Sequence, residues 1–173
     1  MIRLFSTTTG LPIFSIDTGF TDYKLAAFVV DVDRLAIELV VIQQSFSSSK
    51  YYLMSQSVQE IGRYNILINS ESDITDAEDL VRYQTIIGSK PYLIGYKVVT
   101  MSGQRLGQVK DFGYDATHLT VAKLIVRSHW SRRLVTKDLI INRSQIIKIE
   151  GQTVVVKEPK AKARKTSAKL LPA

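Results

Sequence analysis

Cysteine is absent from this sequence of 173 residues, which removes disulfides, iron–sulfur clusters, thiolate zinc sites and cysteine nucleophiles together. Long apolar runs are missing too. Those present, such as Ala26 to Val30 and Leu39 to Ile42, fall far short of the ~20 residues that a bilayer crossing needs. Met1 to Gly10 has no apolar signal core, so a cytoplasmic location is expected. Histidine is scarce: His118 and His129 stand eleven residues apart with no Glu-x-x-His arrangement beside them, so no metal site is expected and both read as loop residues. There is no Gly-x-Ser-x-Gly, no Gly-Lys-Ser/Thr phosphate cradle and no dinucleotide fingerprint. The expectation is therefore a protein that is not an enzyme, with no cofactor and no small-molecule substrate.

What is present is an ordinary globular composition, 45% hydrophobic and 23% charged, with a formal net charge of +7. That sum conceals a split. Residues 1–87 carry 6 Lys/Arg against 11 Asp/Glu, residues 88–157 carry 12 against 4, and residues 158–173 carry 5 against 1. The opposite signs of the two halves bear on partners and on head-to-tail self-association rather than on fold.

Strand grammar dominates. Short β-branched or aromatic runs are bounded by turn residues at Pro12 to Ile16, Tyr23 to Val30, Leu35 to Ile42, Tyr51 to Met54, Val58 to Ile61 and Ile66 to Ile68. The same order returns downstream. A strand over Lys97 to Met101, a turn at Ser102-Gly103 and a strand over Gln104 to Val109 precede a bend marked by Asp111 and Gly113. Leu119 to Arg127, Asp138 to Ile141, and a hairpin of Ile146 to Ile149 with Thr153 to Val156 follow. Gly10 matches Gly95 and Ile13 matches Val98; Leu35 to Ile37 lies 84 residues before Leu119 to Val121, and Val58 lies 88 before Ile146. A drift of that size falls in loops, so the pattern reads as a tandem duplication.

Between the copies, Thr75-Asp-Ala-Glu78 has the spacing of a capping box and predicts a short helix from Asp76 to about Gln84, with Leu80 and Tyr83 facing inward. The acids Glu71, Asp73, Asp76, Glu78 and Asp79 read as capping groups sooner than as a cation site, because the octahedral loop spacing is missing. Asp31/Asp33 and Asp111/Asp115 read as Asx turns sooner than as acid–base pairs.

These pieces resemble the PRC-barrel family, small β-barrels known from photosynthetic reaction-centre subunits and from a bacterial ribosome-maturation factor. The residues that carry the resemblance are Ile94-Gly-Tyr-Lys-Val-Val99, Gly103-Gln-Arg-Leu-Gly-Gln-Val-Lys-Asp111 and Ile140 to Ile149, with Gly10-Leu-Pro-Ile-Phe14 and Asp17-Thr-Gly19 in the first copy. Copy one departs from the pattern at Tyr23-Lys-Leu-Ala-Ala27, where copy two has Gly107-Gln-Val-Lys-Asp111. The resemblance implies an all-β fold of two tandem small PRC-like barrels, residues 1–69 and 90–157. A capped-helix linker over 70–89 joins them, and a disordered basic tail over 158–173 follows. It implies no chemistry. No membrane helix precedes the barrels, so a photosynthetic role is not expected.

For contact with a partner, the sharpest candidate is the loop with Arg127, His129, Trp130, Arg132 and Arg133, in which three guanidiniums surround an indole. That mixture grips phosphate or acidic side chains and stacks a base. Phe46 stands 84 residues before Trp130, and an aromatic at the same place in both copies is most simply a structural anchor. Lys160, Lys162, Arg164 and Lys165 make the tail a cationic tether, or simply a solubilising one. The expected function is a non-catalytic interaction or scaffold protein with a protein partner. The alternative is an RNA-associated or ribosome-assembly accessory protein, and an anionic membrane surface is a further possible partner for the tail.

Overall fold

The chain is described here from a computed structural model, over residues 1–89, 92–128 and 138–158. Its elements are β1 (Ile2–Leu4), α1 (Phe5–Thr8), β2 (Pro12–Ser15), β3 (Gly19–Asp31), β4 (Ala36–Gln44), β5 (Lys50–Met54), β6 (Val58–Ile61), β7 (Ile66–Ile68), α2 (Gln84–Gly88), β8 (Lys97–Thr100), β9 (Arg105–Asp115), β10 (Thr120–Ser128), β11 (Asp138–Asn142), β12 (Ile146–Glu150) and β13 (Thr153–Val156). Strands β2 to β4 and β6 to β10, with β12 and β13, form one path in the order β12-β13-β8-β9-β10-β4-β3-β2-β7-β6. Strands β1, β11 and β5 add to β9, β10 and β4 respectively.

Each half pairs its strands in the same way. β2 is antiparallel to β3 and parallel to β7; β8 is antiparallel to β9 and parallel to β13. Ile13 faces Ile66 as Val98 faces Val154, and Leu39 faces Met54 as Lys123 faces Asn142. The irregularities correspond as well. The β3–β4 ladder slips at Leu25/Ala27 and Val29/Val30, and the β9–β10 ladder slips at Ile125/Val126 and Val121/Lys123, the places 84 residues on. Leu35 and Leu119 both take a positive φ, 51° and 50°. Each follows an Asx turn: Asp31 Oδ1 accepts from the amides of Asp33 and Arg34, and Asp115 Oδ1 from those of Thr117 and His118.

The halves meet through corresponding residues. Ala36 pairs with Thr120, the Ile37 amide donates to the Leu119 carbonyl at 2.7 Å, and the Val121 amide donates to the Leu35 carbonyl at 2.8 Å. The expectation of two separate barrels is revised at this point: the sheet is open and runs across both halves. The reason lies in burial. A unit of about 70 residues covers only about 60% of its unfolded surface by itself. Phe28, Ile37, Val40 and Ile42 of the first half instead share one core with Val98, Phe112, Tyr114, Val121 and Leu124 of the second.

A second cluster explains why β4 is apolar on both faces. Val40 and Ile42 point into the shared core, whereas Leu39 and Val41 pack with Val29 and Tyr52 under Leu80, Tyr83, Ile86 and Ile87. The linker thus seals the outer face of the first half. Leu80 and Tyr83 face inward as expected, but the helix expected from Asp76 is absent. Short 3₁₀ turns at Ala77–Asp79 and Val81–Tyr83 lead into α2. Thr75 cannot serve as the cap because its backbone pairs in both directions with Tyr52, at 2.8 and 3.0 Å.

Strand β9 also runs on through Asp111 to Asp115, with a ladder slip between Val109 and Asp111 where the strand was expected to break off. Residues 2–9, which carry too few apolar residues to show a period, cross to the other half. β1 pairs with β9 from Ile2 opposite Asp115 to Leu4 opposite Gly113. Phe5 stacks on Phe112 with centroids 5.1 Å apart and tilts against Phe28 at 5.5 Å. Asp111 is buried because it caps α1, accepting from the Ser6 amide at 3.1 Å and from its hydroxyl. Thr8 Oγ1 and the buried Tyr114 hydroxyl are 2.8 Å apart, which satisfies both. Among the described residues no buried side-chain nitrogen or oxygen lacks a partner.

Because the core is shared, Phe28→Ala should cost about 3–5 kcal/mol and loosen both halves. Hydrogen exchange read by mass spectrometry should show faster exchange in β8 to β10 as well as in β3. Protection of the second half at the wild-type level would show that the halves are energetically separate.

Candidate interaction surface

Of the sequence-derived contact residues, Arg127 alone lies among the described ones; His129, Trp130, Arg132 and Arg133 of the loop, and Lys160, Lys162, Arg164 and Lys165 of the tail, lie outside them. Arg127 is exposed near the end of β10. Strand register sets its surroundings. Lys97 faces Gln108, Gln108 faces Arg127, and Arg127 faces Asp138, so the four form one row across β8, β9, β10 and β11. Directly opposed residues project to the same face of a sheet, and this one carries three exposed charges. Lys110, at the ladder slip, reaches Asp138 with its Nζ at 2.8 Å from Oδ2. One carboxylate thus stands among three cations, and the face is basic.

The root of the 129–137 segment is fixed by a close backbone approach. Gly107 sits opposite Ser128 with φ +155°, and a Cβ there would lie 2.0 Å from the Arg127 carbonyl oxygen. Only glycine fits. Its counterpart in the first half is Tyr23, which packs edge-on against Tyr51 at 5.4 Å. The two halves thus differ at this register position, an aromatic side chain in one and a bare backbone approach in the other.

Phe46, expected as an anchor, is 97% exposed. The bend at Ser45 to Ser47 is held by polar bonds instead: the Ser45 amide donates to the Asp22 carbonyl at 3.1 Å and Gln43 Nε2 donates to the Ser47 carbonyl at 2.8 Å. The ring stands free of the core. A periodic pattern could not reveal this, because an aromatic in a polar loop reads alike whether it folds under or points out.

Four of the acids, Asp17, Glu71, Asp79 and Asp115, have structural partners, whereas Asp76, expected to cap, stands at the N-cap of a 3₁₀ turn with no side-chain cap bond. Asp115 accepts the two turn amides, which hold its carboxyl below the ordinary range, and lies 3.3 Å from His118 Nδ1. Asp17 accepts from the Ser15 and Ser70 hydroxyls and the Glu71 amide, and the Ser15 bond first, then Ser70, lowers its pKa to about 2. It thereby ties the β2–β3 turn to the first turn of the linker, where Glu71 also accepts from Thr18. Thr75 Oγ1 donates to Asp79 at 3.3 Å. Among the described residues no three His, Asp or Glu side chains are placed to hold a metal ion, and no helix is long and apolar enough to cross a membrane.

Residues 91–163 match the family model of the PRC-barrel domain. The match covers the second half, with the basic row and the loop that follows it; residues 1–90 lie outside it. No curated protein matches the chain.

Two outcomes test this geometry. Gly107→Ala should cost at least about 2 kcal/mol in urea unfolding, because the added Cβ meets backbone. Gly103→Ala, at φ +86° with open space around it, should cost only about 1 kcal/mol. Asp17 is charged in the folded chain down to about pH 2 but takes up its proton near the ordinary 3.8 when unfolded. Its contribution is thus full above pH 4 and is lost as pH falls toward 2. Asp17→Asn should lower the melting temperature at pH 6, and the gap from wild type should close by pH 2; a gap unchanged with pH would mean that the carboxylate does not hold the linker.

Proposed function

Starting from a second half that matches the PRC-barrel domain, we propose that this chain is a non-catalytic interaction protein of the cytoplasm built from two such units, the first diverged. The repeated strand pairing, with ladder slips, Asx turns and positive-φ leucines at corresponding positions, supports the second unit at residues 1–69. The observation that carries an interaction role is Phe46. A phenyl ring 97% exposed on a polar loop contributes nothing to the fold, whereas burying it against a partner would contribute about 1.5–3 kcal/mol. Its counterpart in the sequence is Trp130, close to Arg132 and Arg133. On this reading each unit supplies an aromatic residue to a protein partner, one from an acidic half and one from a basic half.

A second reading is favoured by the row itself. Lys97, Lys110 and Arg127 present positive charge on one face, which together with Trp130, Arg132, Arg133 and the tail lysines suits phosphate and a stacked base. In that case the chain is an RNA-associated or ribosome-assembly accessory protein. The tail charges would serve an anionic membrane surface by the same electrostatics.

Affinity purification of the full chain with and without RNase separates the two. A scaffold keeps its partners after RNase treatment and loses them in Phe46→Ser. An RNA-binding protein loses them on RNase treatment, and Arg127→Ala with Arg132→Ala and Arg133→Ala lowers the salt slope by up to about 3. Partners indifferent to every one of these changes would defeat both readings.

A further inference from the structure

Where the halves join, the repeated pairing creates two corresponding clefts, and they differ in the side chain that bridges the halves. The first is lined by Asp33, Leu35, Arg143, Ile146 and Lys148. There the Arg143 guanidinium bridges the halves. Nη1 donates to the carbonyls of Leu35 and Val121, each at 3.2 Å, and Nη2 donates to that of Arg34 at 2.5 Å. Three main-chain oxygens converge on one planar cation, the geometry that an arginine fork satisfies and a lysine does not.

The second cleft is built from the mates of these residues. Leu119, Ile37 and His118 stand 84 residues from Leu35, Val121 and Arg34, and all three line it. The mate of Arg143, however, is Ser55. A hydroxyl replaces the guanidinium, and the cleft on this side, which extends over Ala36, Glu38 and Thr120, holds about 480 Å³ against about 290 Å³ on the side of Arg143. Charge follows the same substitution. Glu60 occupies the place of Lys148, and Glu38, which lines the open cleft, occupies the place of Ala122 in the second half. Glu38 is only 19% exposed and holds the rim residue Arg34 at 3.2 Å. The open cleft thus keeps the positions of the acceptor set but has no cation in the places of Arg143 and Lys148; the charged side chains that line it are Glu38 and the Arg34 that Glu38 holds.

We propose that the cleft between Ser55, Glu38 and the Thr117–Thr120 turn is a binding site for the guanidinium of an arginine carried on a protein partner, which takes the place that Arg143 fills in the other half. A donor fork entering there finds main-chain oxygens positioned as those that already bind one, with Glu38 beside them. The polar rim of Ser55, Gln56 and Thr117 leaves room for the chain that carries the arginine. Phe46 does not line this site, and the site does not depend on it.

The test is a titration of the full chain with arginine blocked at both ends, followed by amide chemical shifts. Shifts should concentrate at Ser55 to Val58 and Thr117 to Thr120. The blocked lysine analogue should bind roughly tenfold more weakly, and the neutral citrulline analogue should give no shifts. Ser55→Arg should abolish the shifts and raise the unfolding midpoint, because the introduced side chain closes the cleft as Arg143 closes its mate. Glu38→Gln, a milder change, should weaken binding roughly threefold to tenfold. In Arg143→Ser, methylguanidinium at a few millimolar should restore part of the lost midpoint and do so more than in wild type. Shifts spread over the basic second half, equal response to citrulline, or binding unchanged in both Ser55→Arg and Glu38→Gln would overturn the site. None of these outcomes depends on RNA or on Phe46.

Discussion

The reciprocal pair of hydrogen bonds between Leu35 and Val121 and between Leu119 and Ile37 is the constraint from which the rest follows. It joins two sheets at corresponding edges, and corresponding edges can pair antiparallel only about a local two-fold. Once that axis is set, the inner faces of both halves turn toward each other and their apolar residues fall into one core. Two units too small to bury themselves become one that can. Leucine at positive φ in both turns is the local cost, of order 1–3 kcal/mol at each, borne because the carbonyls of those same leucines receive the joining bonds.

An approximate two-fold also explains where the sequence is free to differ. Inner-face positions stay apolar in both halves, Phe28 with Phe112 and Val40 with Leu124, because each faces the same crowded interior. Outer-face positions have no such shared environment. Leu39 lies under the linker and its mate Lys123 does not, so one is apolar and the other charged. The N-terminal segment breaks the symmetry again, for Phe5 fills the space between Phe28 and Phe112 from one side only. Charge divergence between the halves thus falls largely on the outer surfaces, with Arg143 and the buried Asp111 as exceptions that each bond the opposite half.

This division decides what could be read in the residues alone. Strands β2 to β8 and β10 to β13 were legible to within a few residues because their apolar runs are bounded by turn residues, and the correspondence at 84 to 88 residues was legible because pairing partners recur at fixed offsets. What was not legible depends on contacts between distant segments. Thr75 has the residues of a capping box, but its backbone is spent on Tyr52. Asp111 was read as marking a bend and an Asx turn, yet its carboxylate accepts from the amide of Ser6, 105 residues away in α1. Phe46 was read as an anchor from its counterpart in the other copy, and correspondence of position says nothing about which way a ring points. Of the contact surface, Arg127 was visible, whereas Lys97 and Lys110 joined it only through register.

The two clefts show how an approximate two-fold can leave a site unfilled. At a true two-fold, whatever closes one cleft closes both. Here a difference at the start of a 3₁₀ turn, Arg143 against Ser55, leaves one acceptor set bonded from within and its mate without that guanidinium. The scaffold of the open cleft is not free to relax, because Leu119 and Ile37 also make the bond that joins the halves. Its acceptors are therefore held in place by the core rather than by a ligand, and a cation that enters meets a site already organised for it.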